Sequence, residues 1–301
     1  MKIENALEIV SQTNPGMVRS HNEDSVAQEL ACGLVVLADG MGGYNAGEVA
    51  SGIAVSVVAT EISHRLLEAS PVDRVYPHPN LPPEGEGTIA SSPLGGELRR
   101  GLETGEELGV LLLRDNIQKA NASIFHAAQS QPQYAGKGTT IVCGLFYDNR
   151  VAVGHVGDSR MYRLRGETLE TITRDHSLLQ EQIDSGMISV EDARLSKNKN
   201  LVTRAVGIDA EVVPEIHVHD VLVGDIYLLC SDGLNDMVED EDIQSTLYAM
   251  QGNLPRAAEQ LIQMANDNGG RDNVSVILVK IKGEFAVPHG WLAKLLNWFK
   301  K

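Results

Sequence analysis

Apolar residues along this chain follow two different spacings. Short β-branched runs bounded by Gly, Asp and Asn, at residues 33–38, 140–146, 151–156, 225–230 and 273–281, predict strands. The polar step Tyr147-Asp-Asn-Arg150 between two of them predicts a hairpin turn, and residues 161–165 continue the same meander. Residues 46–68, 108–129, 175–185 and 254–267 instead repeat apolar positions every three or four residues and predict helices. The last has Pro255 near its start, where the missing N–H costs nothing. Strands and helices come in blocks rather than in strict alternation, so the pattern predicts an α+β domain with antiparallel sheet, not a doubly wound parallel one.

Two segments depart from that pattern. Residues 71–105 hold Pro71, Pro77, Pro79, Pro82, Pro83 and Pro93 among many glycines and have almost no periodic apolar positions, which predicts an inserted loop too poor in apolar surface to order itself. At the other end, Trp291, Leu292, Leu295, Leu296, Trp298 and Phe299 share one helical face and Lys294, Asn297, Lys300 and Lys301 the other. The expected organisation is one domain over 1–287, carrying the loop, followed by an amphipathic tail at 288–301. Residues 290–301 suit contact with a partner protein or a membrane surface.

With 301 residues and 43% hydrophobic composition, the chain can bury a full core. Its formal charge of −16 excludes non-specific binding of the body to nucleic acid or to an anionic membrane. No run reaches the roughly 18 uninterrupted apolar residues of a spanning helix, and the first residues do not read as a signal peptide. Cys32, Cys143 and Cys230 are far apart in apolar stretches and read as reduced core thiols. The expected setting is cytoplasmic, with the tail allowing a peripheral place at the inner membrane.

The chemistry lies in acids beside apolar runs: Glu23-Asp24, Asp39-Gly40, Asp232-Gly233 and Asp272-Asn273, with Arg19 four residues before Glu23. Carboxylates and backbone carbonyls without thiolate or imidazole suit Mg²⁺ or Mn²⁺. Arg19 adds a planar fork matched to phosphate oxygens. Taken singly, each Asp-Gly is a turn signal. Gly40-Met-Gly-Gly43 lacks the Gly-Lys-Ser/Thr of a nucleotide-binding loop.

The ordered set Arg19-x-x-Asn22-Glu-Asp24, Asp39-Gly-Met-Gly-Gly43, Gly138-Thr-Thr140, Gly157-Asp-Ser-Arg160, Asp175-His-Ser177, Ser231-Asp-Gly233 and Arg271-Asp-Asn273 closely resembles the metal-dependent protein phosphatases, the PPM or type 2C serine/threonine family, from about Thr13 to Ile281. That resemblance implies a four-layer α-β-β-α sandwich of two antiparallel sheets flanked by helices. It also implies hydrolysis of phosphoserine and phosphothreonine by direct attack of a metal-bridging water, with two core Mn²⁺ or Mg²⁺ ions and a weaker third. Asp39 matches the carboxylate bridging two metals, and the Gly40 carbonyl is a further ligand. Asp232 and Asp272 complete one ion's set, Glu23 serves the second, and Asp158 helps Asp232 hold the third. Asp24 and Asn273 match positions just behind the ligands, and Arg19 matches the phosphate grip. Phosphorylated proteins, and a serine/threonine kinase that this activity opposes, are the implied partners.

Two departures accompany the match. Met41 stands where many eukaryotic members carry a histidine proposed to protonate the leaving oxygen, which leaves the general acid unassigned. Leu195-Ser196 replaces a common His-Pro in the flap after Asp175-His-Ser177.

Overall fold

Alternation within the strands sets the layering. In β3 (Leu34–Met41), Leu34, Val36 and Ala38 join one buried cluster, whereas Val35 and Leu37 join another on the opposite face. β10 (Ile226–Cys230) does the same, with Ile226, Leu228 and Cys230 on one side and Tyr227 and Leu229 on the other. Side chains alternate across a strand, so a strand buried on both faces reads in sequence as an unbroken apolar run.

This computed structural model describes residues 2–42, 46–68, 107–130, 136–189, 192 and 201–286. The expected loop at 71–105 and tail at 288–301 lie outside them, as do Leu195 and Ser196. One sheet runs in the order β1 (Leu7–Asn14), β11 (Val274–Ile281), β10, β7 (Arg160–Arg165) and β8 (Thr168–Thr171). The second runs β2 (Asp24–Glu29), β3, β5 (Ile141–Tyr147), β6 (Arg150–Val156) and β9 (Glu215–Asp220), with the short β4 (Gly138–Thr139) also paired to β3. Every ladder is antiparallel.

Between the sheets lie Val35, Leu37, Val142, Phe146, Val153, Met161, Tyr227, Ile277 and Val279. Phe146 and Tyr227 meet edge to face, 5.3 Å between centroids. After the short opening helix α1 (Ile3–Ala6), the helices α2 (Ala46–Glu68) and α3 (Leu108–Ser130) cover the outer face of the second sheet. Two others, α6 (Asp240–Ala249) and α7 (Leu254–Asp267), cover the outer face of the first. The result is helix, sheet, sheet, helix: the expected four layers. The hairpin at β5–β6 turns through Asp148 at φ 47° and Asn149 at φ 55°, the left-handed pair a two-residue turn of this hand requires. Cys32, Cys143 and Cys230 are free and buried.

The structure adds elements that the spacing did not predict. β1 and β2 are edge strands with mostly half-buried positions, so they lack the apolar density of the central ones. The acid-rich α6 buries only Ile243 and Leu247, too few contacts to show a stripe. The helix expected at 175–185 begins later, as α4 (Leu178–Asp184), because Ser177 stays extended and its hydroxyl accepts the Gln180 N–H at 3.2 Å. By length and composition alone α2 would pass for a membrane span, with mean hydropathy 1.2 over Ala46–Leu67, but that apolarity serves packing on β3 and α3.

Candidate metal centre

The ends of several strands deliver acids to one edge of the sandwich. Asp24 opens β2 and is the cross-strand partner of Asp39 near the end of β3. Asp158 lies in the turn joining β6 to β7, while Asp232 opens the short helix α5 (Asp232–Asn235) directly after β10. Asp272 and Asn273 immediately precede β11, the neighbour of β10, and Glu23 immediately precedes β2. A sequence separation of 250 residues thus collapses into one hydrogen bond, the Glu23 N–H donating to Asn273 Oδ1 at 2.8 Å.

The carboxylates act strongly on one another. Burial first, then the charges of Asp24, Asp232, Asp158 and Asp272, push Asp39 well above the usual carboxylate range. Asp232 is raised in the same way, by burial and then by Asp158, Asp236, Asp272 and Asp24. Burial lifts Asp24 to about 6 against the opposing effect of the nearby Ser275 and Ser231 hydroxyls, and it lifts Asp158 to about 6 with help from Asp175. Glu23 is raised by burial against the opposing pull of Arg19. Asp232 Oδ1 and Asp24 Oδ1 are buried without a hydrogen-bond partner. Closely set anionic oxygens with no internal donor call for cations. This all-oxygen donor set fits Mg²⁺ or Mn²⁺ rather than a soft metal.

A frame of uncharged groups fixes these acids. The Thr140 hydroxyl accepts the Asp39 N–H at 3.0 Å, and the Thr139 hydroxyl and Thr140 N–H both donate to the Asp39 carbonyl, each at 2.8 Å. Ser231 donates to Asp24 Oδ2 at 2.8 Å. Asn273 donates to the carbonyls of Pro15 at 3.0 Å and His21 at 2.8 Å while accepting from Glu23, so it holds the Arg19–Glu23 loop against the start of β11. Gly40 approaches α2 so closely that a Cβ there would lie 2.2 Å from the Gly47 carbonyl oxygen. At Gly233 a Cβ would lie 2.1 Å from the Asn273 carbonyl oxygen, which explains why glycine follows Asp232.

Arg19 does not stand free. Its Nη2 donates to Asp272 Oδ2 at 2.6 Å, and its charge also reaches Glu23 and Asp232. The guanidinium therefore borders the cluster and rests on one of its acids. On the opposite side, Asp175 clasps Arg160 through contacts of 2.9, 3.1 and 2.7 Å and so steadies the turn that carries Asp158.

Two imidazoles sit nearby. His155 and His176 stack 4.8 Å apart, and with Glu215 their ligand atoms all lie within 4.8 Å of one another. Two ligands on one zinc ion stand no more than about 4.2 Å apart. Moreover, His176 Nδ1 accepts the Gly157 N–H at 3.1 Å, which leaves the proton of the neutral ring on Nε2 facing Glu215. Their hydrogen bonds tie the Asp158 turn to β9 and to the Arg174 carbonyl.

Asp236 went unnoticed in the sequence, yet its charge acts on both Asp232 and Asp158. The available signal was its place four residues after Asp232, on the same side of a helical turn.

Comparison with known proteins accords with this geometry. Residues 18–269 match the model of the family described as protein phosphatase 2C. The chain belongs to that family. This type 2C phosphatase is 35% identical over 272 residues to the serine/threonine phosphatase stp of Listeria welshimeri, spanning 89% of this chain and 94% of that protein. Among solved structures, Stp1 of Staphylococcus aureus aligns with TM-score 0.73 and 32% identity over 94% of this chain and 98% of that one. The catalytic domain of Mycobacterium tuberculosis PstP, solved in complex with two manganese ions, aligns with TM-score 0.70 and 32% identity over 92% and 99%. The enzyme is therefore a protein-serine/threonine phosphatase of this family.

Proposed function

We propose that this phosphatase removes phosphate from phosphoserine and phosphothreonine on proteins by direct attack of water, with two core Mn²⁺ or Mg²⁺ ions and a weaker third as cofactors. The observation that carries the reading is the buried, unpartnered Asp232 Oδ1 inside a ring of acids that raise one another's proton affinity. Asp39, Asp232 and Asp272 would hold one core ion and Glu23 with Asp39 the other, with the Gly40 carbonyl as a further ligand. Asp158 with Asp232 would hold the third, while Asp24 and Asn273 brace the ligands from behind. When bound, such ions lower the pKa of water and take up the charge that develops on phosphate oxygens.

The chain's own groups supply the rest. Arg19, poised at the border of the cluster, presents a fork to two phosphate oxygens. Burial pushes the thiols of Cys143 and Cys230 upward, which suits inert core residues and speaks for direct hydrolysis without a cysteinyl phosphoenzyme. Buried free thiols also support a reducing, cytoplasmic setting. A serine/threonine kinase that adds the esters removed here is the proposed counterpart.

The full chain with manganese is expected to release phosphate from a phosphothreonine peptide and from a kinase-phosphorylated protein, and a chelator to stop it. Absence of manganese-dependent release sinks the reading. Arg19→Lys keeps the charge but loses the fork, and kcat/KM is expected to fall about tenfold or more. Unchanged kinetics would remove Arg19 from phosphate binding.

A further inference from the structure

Lys137 is a cation at the centre that no motif singled out. It directly precedes β4, whose Gly138 pairs with Met41 and whose Thr139 pairs with Gly40, so the ladder carries it alongside Gly42 just beyond the acids of β3. Its stem lies on that glycine: a Cβ at Gly42 would fall 2.8 Å from Lys137 Cγ and 3.3 Å from its Cβ. The aliphatic part also lines a small cleft with Ala46, Val49 and Ile53 of α2 and Ile124 of α3. At its tip, the charge reaches the Glu23 carboxylate and opposes the upward push of burial there.

Two other cations near the centre have carboxylate partners. Arg160 is clasped by Asp175, and Arg19 rests on Asp272. Lys137 forms no hydrogen bond or ion pair with another described residue. An ammonium held by its stem at the rim of an anionic pocket is placed to meet an incoming anion rather than to build the fold.

We infer that Lys137 is a specificity-determining residue that binds an anionic oxygen of the substrate on the Gly42 side of the centre. This rests on the phosphatase reading above. Two sources offer such an oxygen: the phosphate itself, or the carboxylate of an acidic residue next to the phosphoresidue. The chemistry of the contact is the same for both.

The test measures kcat and KM of the full chain with manganese on p-nitrophenyl phosphate, on a phosphothreonine peptide with neutral flanks and on one with acidic flanks. Lys137→Met keeps the stem and removes the charge; Lys137→Gln serves as a second neutral variant and Lys137→Arg as the rescue. A KM raised about tenfold on all three substrates, recovered by Arg and shrinking with added salt, places the contact on phosphate. An increase confined to the acidic peptide places it on a neighbouring carboxylate. KM values within twofold of the parent on every substrate, or a loss in kcat alone that Arg does not recover, overturn the inference. A parent chain without activity overturns the phosphatase reading, and this one with it.

Discussion

Asp39→Asn is expected to lower kcat/KM by about a thousandfold or more and, at the same time, to raise the melting temperature of the metal-free protein. Both effects come from one cause. The Asp39 carboxylate is buried beside Asp24, Asp232, Asp158 and Asp272, so without cations it is a source of repulsion that the fold tolerates for function. Asparagine keeps the shape and removes the charge, which relieves the repulsion among the acids and would deprive the proposed pair of ions of the ligand assigned to both. Activity assays with manganese and calorimetry in chelator read the two sides separately. A variant with parental activity, or one that is inactive and also less stable without metal, would contradict the arrangement.

A large effect of pH on the metal-free protein is expected, with an inverted sign relative to most acid-rich folds. Asp39, Asp232, Asp24 and Asp158 all have folded-state pKa values above those of an unfolded chain, which are about 4. The folded state therefore binds more protons, and the stability these groups contribute is fully present below about pH 4 and is lost as pH rises through the folded values, about 6 for Asp24 and Asp158 and likewise raised by burial and neighbouring charge for Asp39 and Asp232. In chelator, melting temperature should drop on the order of 5 °C or more between pH 5 and pH 7.5. Saturating manganese should reverse the trend, because it binds the deprotonated folded state; a hundredfold excess over Kd adds about 2.7 kcal/mol. A flat profile in chelator would show that the acids do not meet as described.

The central strands were legible because each is buried on both faces: residues 33–38, 225–230 and 273–281 in sequence correspond to β3, β10 and β11 in space. The edge strands were not, since β1 and β2 place only a few apolar residues on each face, such as Ile9 and Val10 or Val26 and Ala27, and owe their form to pairing with β11 and β3. Acids of the centre stood out as Asp-Gly steps after apolar runs, but only the ordered set of motifs separated them from ordinary turns. Distance along the chain hid what the ladder brings together, such as Thr140 beneath Asp39 and Lys137 beside Gly42. The contact of Arg19 with Asp272 was also unreadable, since no local pattern connects residues 253 positions apart.

The pairing of Asp24 with Asp39 has a further meaning for how the protein stays faithful to its task. A slip of one residue in that ladder would swing Val35 and Leu37 out of the inter-sheet space and turn Asp39 away from its companions in the same movement. Packing quality and catalytic competence are thus proofread together: a molecule that has zipped these two strands wrongly announces itself by a ruined interior, and does not persist as a well-formed but barren competitor.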